Sequence, residues 1–264
     1  MEAIDPTHLL TSQSLKNTFI YSLFFIALSA LSACKKESIP NTPEPIAEKI
    51  LSDSISFGIN GKQYIFNNLY GVGFGNRQVN IKQSPVIIAD RKPAYTTGGY
   101  YWYGEKDSTL YSAFFKLDAN KQQGDLQVSF SKKFRNNELI VAQQFLTIKD
   151  YLSLLKLGKQ AFSVDLGKEN SMDGIAIDLN SSDFAENLST TIPGFSILVR
   201  SNLGKNIQDN SLFEITKITK LKENQYLIEA NFEVNLYDKN EQLYRAKNGF
   251  LRITTDRLLS LIAQ

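Results

Sequence analysis

The side chains that could carry chemistry in this sequence are mainly carboxylates, because the chain has one histidine, His8, and one cysteine, Cys34. Beyond residue 34 there is no imidazole and no thiol. This excludes Ser-His-Asp and Cys-His nucleophilic schemes, thiol redox chemistry, and metal sites built on histidine or cysteine. The sequence therefore predicts no cofactor and no metal centre in this part of the chain.

Carboxylate chemistry survives that exclusion, since a pair of Asp or Glu residues is enough to hydrolyse a glycosidic bond. Six acids lie on or beside predicted strands: Asp107, Asp118, Asp165, Asp173, Asp178 and Glu214. Most acids in such positions are simply solvated. A carboxylate-dependent glycoside hydrolase is therefore the alternative function, and a non-enzymatic protein is favoured.

The most suggestive cluster is aromatic, and it is set among small and polar residues at 96–99. Its members are Tyr95, Tyr100, Tyr101, Trp102 and Tyr103. Flat rings with polar tips suit sugar faces and protein partners. Consecutive residues of a strand point to opposite faces, so Tyr101 and Tyr103 cannot share a surface with Tyr100 and Trp102. At least half of the cluster is expected to be core or sheet cover, and the rest is a possible ligand-binding strip.

Three other stretches resemble ligand loops but lack the residues that the chemistry needs. The glycine run at 71–75 has neither the Gly-x-Gly-x-x-Gly spacing nor a Gly-Lys-Ser/Thr ending, so it is interpreted as a bulged or tightly packed strand. The stretches 118–122 and 238–242 alternate oxygen-bearing residues, but both lack the glycine and glutamate of a calcium loop. They are interpreted as hairpin turns.

The first 33 residues have the pattern of a signal peptide. Residues 18–33, TFIYSLFFIALSALSA, form an uncharged apolar run that follows Lys16. The run is shorter than the roughly 20 residues of a membrane-spanning helix, so cleavage is expected. Its end, Leu31-Ser32-Ala33-Cys34, resembles the lipobox of bacterial lipoproteins. That resemblance implies cleavage before Cys34 and lipid on Cys34 that anchors the chain to a membrane; an uncleaved anchor with an ordinary Cys34 is the alternative.

The chain after the expected cleavage site has 231 residues with 28 basic and 25 acidic side chains, a net charge of +3. It has no basic block of the kind that binds nucleic acid, so no nucleic-acid partner is predicted. Residues 34–53 contain Pro40, Pro43 and Pro45 among charged and small residues, which favours an extended linker. No disulfide can form within residues 54–264, so a hydrophobic core must stabilise them.

Strand signals fill residues 54–264. Ile55, Phe57 and Ile59 alternate with Ser and Gly, and Asn60-Gly61 then predicts a hairpin with a type I′ turn. Further short strands are predicted at 78–82, 85–89, 99–103, 109–117, 125–131, 138–142, 161–166, 174–179 and 195–200. Three longer alternating runs at 211–220, 225–237 and 242–254 predict an antiparallel meander.

Two segments favour short helices. In residues 147–158, apolar residues fall at helical spacing between Thr147, a possible cap, and Gly158, a possible end. Residues 256–263 could form a terminal helix. Many short strands and one or two short helices predict a mostly β fold, an antiparallel β-sandwich or incomplete barrel. A single domain at 54–264 is favoured over a boundary near 148–158.

Two hairpin signatures carry a family resemblance. Phe57-Gly58-Ile59-Asn60-Gly61-Lys62, behind a lipobox and a proline-rich linker, looks like the start of many small uncharacterised Bacteroidota lipoproteins. The closing strands, 230–234 and 247–253, are similar to theirs. The resemblance covers about a quarter of the chain after Cys34; it implies fold and location, and it brings no activity.

These observations together predict a membrane-anchored lipoprotein that acts as a binding or envelope-assembly module. Its partners are expected to be the membrane, through lipid on Cys34, and a glycan or an envelope protein. Lys35 after the cysteine resembles the signal for delivery to the outer membrane, and whether the chain faces the periplasm or the exterior is left open.

Overall fold

Alternation of buried and exposed side chains organises the strands of this protein. The computed structural model describes residues 52–119, 124–142, 145–193, 201–222 and 225–255. In the first strand Ile55, Phe57 and Ile59 are at most 1% exposed, while the residues between them are partly exposed. One side of each such strand must therefore face a core.

Fourteen strands are present in the described residues. They are β1 (Ser54–Ile59), β2 (Lys62–Phe66), β3 (Asn68–Ser84), β4 (Tyr95–Thr97), β5 (Tyr100–Asp118), β6 (Asp125–Arg135), β7 (Ile140–Ala142), β8 (Phe145–Thr147), β9 (Gly158–Lys159), β10 (Gly174–Asn180), β11 (Leu188–Ser189), β12 (Leu212–Lys222), β13 (Gln225–Tyr237) and β14 (Leu243–Thr254). Two 3₁₀ turns, Asn136–Glu138 and Tyr151–Leu154, complete the regular structure. No helix in the described residues is long and apolar enough to cross a membrane.

Twelve of the described strands form one open antiparallel sheet with two leaves. The first leaf runs β2-β1-β14-β13, with β12 beside β13 and β9 beside β12. The second leaf runs β11-β10-β6-β5-β3, with β4 beside β5. A single residue pair, Ser189 with Tyr237, joins the two leaves through β11 and β13. Strands β7 and β8 form a separate hairpin.

A chain of aromatic rings crosses the interior from one leaf to the other. Phe115 of β5 meets Phe130 of β6 at 6.1 Å between ring centroids, and Phe130 meets Phe213 of β12 at 6.1 Å. Phe213 then stacks on Phe232, which contacts Phe57 of β1. Because Phe130 and Phe213 belong to different leaves, the sheet folds over itself around a shared core. The predicted mostly β, antiparallel, sandwich-like fold is confirmed.

The predicted hairpin and meander are also confirmed. Ile59 pairs with Lys62, and Asn60 and Gly61 both have positive φ, as a type I′ turn requires. Strand β13 pairs antiparallel with both β12 and β14. The glycine run at 71–75 lies inside β3, with a register shift between Leu69 and Gly71, so its interpretation as a bulged, closely packed strand holds.

The predicted helix at 147–158 is wrong. Thr147 is buried at the end of β8 and caps nothing. The segment contains a turn at Tyr151–Leu154, which is capped by Asp150; the Asp150 side chain accepts from the Leu152 amide at 2.9 Å. That turn is a 3₁₀ turn of four residues, and Gly158 belongs to β9. The apolar residues at 148–155 are spaced as in a helix, but they belong to an irregular loop that buries Ile148, Leu154 and Leu155 in the core.

Several strand boundaries also differ from those predicted. The segments 99–103 and 109–117 belong to one strand, β5, and 85–89 is a loop. Residues 161–166 contain only one isolated bridge, from Phe162 to Ile175. The predicted signal peptide, the lipobox with Cys34, the strand at 195–200 and the helix at 256–263 lie outside the described residues, as does the linker up to residue 51.

Candidate functional site

The aromatic cluster lies on a three-stranded part of the second leaf, which we call the arm: β4, residues 100–104 of β5 and residues 80–84 of β3. Gly98 and Gly99 close the β4–β5 hairpin with φ of 53° and 76°. Trp102 lies on the central strand between Tyr95 of β4 and Gln83 of β3. Directly paired residues share a face of a sheet, so these three side chains lie on one side of the arm.

Tyr95 and Trp102 form a stacked pair on that side. Their ring centroids are 5.7 Å apart and their planes differ by 15°. Trp102 is 8% exposed, whereas Tyr95 is 39% exposed. Trp102 therefore supports Tyr95 from beneath, and Tyr95 keeps surface that a second flat group could cover.

Asn80 fixes the far end of the Tyr95 ring. Its amide nitrogen donates to the Tyr95 hydroxyl at 3.1 Å and to the Lys168 carbonyl at 3.0 Å. The Asn80 main-chain N–H also donates to the Glu169 carbonyl at 2.7 Å, which ties β3 to the loop at 165–171. Burial raises the pKa of the Tyr95 phenol, and the hydrogen bond from Asn80 partly offsets that rise.

Two buried polar atoms of this side have no hydrogen-bond partner in the described part of the chain. They are Nε1 of Trp102, a donor, and Oδ1 of Asn80, an acceptor. A buried polar group without a partner costs about 1–3 kcal/mol, so such groups need an explanation. Trp102 Nε1 lacks an acceptor and Asn80 Oδ1 lacks a donor. A hydroxyl group could serve as either partner, because it can both donate and accept.

The opposite side of the arm is closed by the loop at 85–94. Tyr103 is 2% exposed, and its hydroxyl accepts from the Ile88 amide at 2.6 Å. Tyr101 pairs with Ser84 and Thr96 and is partly buried. Of the five aromatic residues predicted as possible ligand contacts, Trp102 and Tyr103 are thus buried. Tyr95, Tyr100 and Tyr101 keep surface that a ligand could touch.

The six candidate carboxylates have different surroundings. Asp165 is 2% exposed and accepts from the Ser171 amide at 2.9 Å, the Ser171 hydroxyl at 2.6 Å and the Met172 amide at 3.2 Å. Asp118 accepts from Asn68, and Asp173 accepts from the Lys133 amide. These three acids hold neighbouring segments in place.

The other three acids lie on exposed or half-buried positions. Asp107 is exposed within β5 at a positive φ of 56°, and Glu214 is half-buried on β12. Burial raises the pKa of Asp178 on β10, while Ser189 and Arg77 act to lower it. A small pocket of about 10 Å³, lined by residues such as Phe115, Phe130 and Leu154, has room for about one water molecule, not a sugar ring.

In the calcium-like stretch 238–242, the side-chain oxygens of Asp238 and Glu241 accept hydrogen bonds from the protein itself. Asp238 accepts from the Asn240 amide at 2.8 Å and the Gln242 amide at 2.9 Å, which builds the turn between β13 and β14. Glu241 binds Ser201 and Asn202. Most of the other stretch, 118–122, lies outside the described residues. No group of three or more His, Cys, Asp or Glu that could hold a metal occurs in the residues described by the structure.

Sequence reasoning missed Asn80 and Lys168, which support Tyr95 from β3 and from the 165–171 loop. Burial lowers the pKa of Lys168 to about 8, while Glu169, Asp165 and Glu241 act to raise it. Its ammonium group donates to the Pro193 carbonyl at 2.6 Å. No local pattern could reveal these roles, because the partners lie far apart in sequence.

Comparisons of the chain with protein-family models, curated proteins and solved structures found no match.

Proposed function

We propose that this chain is a membrane-anchored lipoprotein that acts as a non-enzymatic binding module, with the Tyr95 side of the arm as its binding surface and a glycan as its ligand. The half-exposed Tyr95 ring, stacked on Trp102 and fixed by Asn80, carries the proposal. Sugars bind to such rings through their C–H faces. The ring is already held in place, so little side-chain entropy would be lost on binding.

Polar groups around Tyr95 support a glycan over a purely apolar ligand. Gln83 is exposed beside Trp102, and Thr97 is exposed two residues beyond Tyr95 on the same strand. Amides and hydroxyls can bond sugar hydroxyls, and the unpartnered Trp102 Nε1 and Asn80 Oδ1 lie on this side.

The emission of Trp102, the sole tryptophan, tests the ligand. Because Trp102 is buried against Tyr95, we expect blue-shifted emission that changes saturably when an envelope or dietary polysaccharide binds. Tyr95→Ala should abolish that change. Tyr70→Ala is the matched control, because Tyr70 is a 50% exposed tyrosine of β3 outside the arm. The glycan proposal fails if calorimetry detects no polysaccharide binding, or if binding is unchanged in Tyr95→Ala.

The lipobox resemblance, Leu31-Ser32-Ala33-Cys34, supports the membrane anchor. We expect Cys34→Ala to release the protein from membranes, because several acyl chains at about 0.8 kcal/mol per buried CH₂ provide the anchoring. Fractionation of cells by ultracentrifugation measures this release. Ser32→Ala, which keeps a small residue before the cleavage site, should leave the protein in the membrane pellet. Cys34→Ala protein that still pelleted would contradict the anchor.

A further inference from the structure

The loop between β3 and β4 displays two consecutive aliphatic side chains to solvent. Val86 is 65% exposed and Ile87 is 62% exposed. Ile81, at the irregular register of β3 before this loop, is 49% exposed. Exposed aliphatic residues are common singly, but adjacent ones at a loop tip favour a surface that becomes covered.

Hydrogen bonds on both sides hold these side chains outward. The Val86 amide donates to the Ser84 hydroxyl at 3.2 Å, and the Ile88 amide donates to the buried Tyr103 hydroxyl at 2.6 Å. Arg91 donates its amide to the Ile88 carbonyl at 3.1 Å, and Ala94 donates its amide to the Trp102 carbonyl at 2.7 Å. The loop is therefore folded against the arm, and Val86 and Ile87 cannot turn inward without breaking these bonds.

Basic residues flank Val86 and Ile87 along the chain. Lys82, Arg91 and Lys92 are exposed, and Asp90 is the only acid between residues 79 and 104. Aliphatic residues with a basic border match an anionic bilayer, where the apolar groups enter the acyl boundary and the cations meet phosphate headgroups. A bilayer can receive two exposed aliphatic side chains without a complementary groove, which a protein partner would need.

We infer that the 85–92 loop is a second membrane contact, which inserts Val86 and Ile87 into the interface of an anionic bilayer. This inference rests on the membrane anchor of the proposed function. A linker of about 20 residues spans at most roughly 70 Å even when fully extended, so the domain stays near its anchor. A weak contact at the loop is then favoured, because the tether makes it intramolecular. The loop would hold the arm, and with it Tyr95, in a fixed orientation at the membrane.

A polarity-sensitive fluorophore on single introduced cysteines tests the contact in the full acylated chain. Ile87→Cys probes the loop. Val141→Cys is the matched control, because Val141 is a 72% exposed aliphatic residue on β7. Both labelled proteins are reconstituted into vesicles of phosphatidylcholine with phosphatidylglycerol, or of phosphatidylcholine alone, and lipids with a bromine quencher on the acyl chain are added.

We expect the label at Ile87→Cys to shift to the blue in anionic vesicles and to be quenched several-fold more than the label at Val141→Cys. Arg91→Glu with Lys92→Glu should remove that difference. Equal, unshifted emission at both positions would overturn the inference. A blue shift at Ile87→Cys without lipid quenching would also overturn it, since a protein would then cover the loop. The chain without an introduced cysteine separates the two proposals: label uptake at Cys34 shows a free thiol and contradicts the anchor, independently of the loop.

Discussion

One residue that supports the arm, Lys168, has a pKa shifted by its surroundings. Lys168 is half-buried and supports the arm through its carbonyl, which accepts from Asn80, while its ammonium group donates to the Pro193 carbonyl. Desolvation disfavours the charged form more than the nearby carboxylates favour it. The folded protein therefore releases the Lys168 proton at a lower pH than the unfolded chain does.

The pH dependence of stability follows from this pKa. Between about pH 8, the pKa of folded Lys168, and the ordinary lysine value of 10.5, the unfolded chain binds more protons than the folded one, so the contribution of Lys168 to stability rises with pH. We expect Lys168→Met to stabilise the protein relative to wild type more at pH 7 than at pH 10. Urea unfolding at both values measures the difference. Lys106→Met, at an exposed lysine, should show no such trend, and a constant difference for Lys168→Met would contradict the assignment.

At the scale of elements, close contacts between strands depend on two glycines that face aromatic rings. A Cβ at Gly73 of β3 would lie 2.4 Å from the Phe114 ring, and a Cβ at Gly249 of β14 would lie 2.4 Å from the Phe232 ring. Phe114 is half-buried and can move. Phe232 is 2% exposed between Phe57 and Phe213, so it cannot.

Gly249→Ala should therefore destabilise the fold by about 1–3 kcal/mol, because the added methyl group overpacks the core. Gly75→Ala is the matched control: a Cβ at Gly75 of β3 meets nothing within 4 Å. That substitution should be neutral or stabilise by up to about 1 kcal/mol, because alanine has less conformational freedom in the unfolded chain. Thermal or urea unfolding compares the two variants, and equal effects would show that the Phe232 contact is not the cause.

The elements that the sequence predicts well are those with local signals. Asn60-Gly61 specifies its turn by backbone conformation alone, and the alternation in β12 to β14 specifies a sheet with one buried face. The segment at 147–158 fails because its apolar spacing fits a helix and an irregular loop against a core equally well. The sequence predicts an aromatic strand in the arm. It does not predict the hydrogen bond by which Lys168 supports Asn80, because these two residues are 88 positions apart.

At the scale of the whole molecule, side-chain packing in the core holds the two leaves together more than strand pairing does. Within the residues that the structure describes, the strand pairing between the leaves is one residue pair, Ser189 with Tyr237. The aromatic contact between Phe130 and Phe213 crosses from one leaf to the other. No disulfide can reinforce this contact, because the only cysteine is Cys34. The stability of one leaf therefore depends on the other.

Phe213→Ala tests that dependence. Phe213 is fully buried on the first leaf, so its truncation should cost about 3–5 kcal/mol. Trp102 reports on the second leaf and far-UV circular dichroism on both. We expect urea to unfold both signals at one midpoint, and Phe213→Ala to lower that midpoint equally for the two.

Phe250→Ala is the control, because Phe250 is a half-buried aromatic residue of β14, and it should shift both midpoints far less. A Trp102 transition that stayed in place while the circular dichroism transition moved would mean that the leaves unfold separately. Because β3 and β5 continue from the arm into the second leaf, a common transition would also mean that the Tyr95 surface is only as stable as the core beneath both leaves.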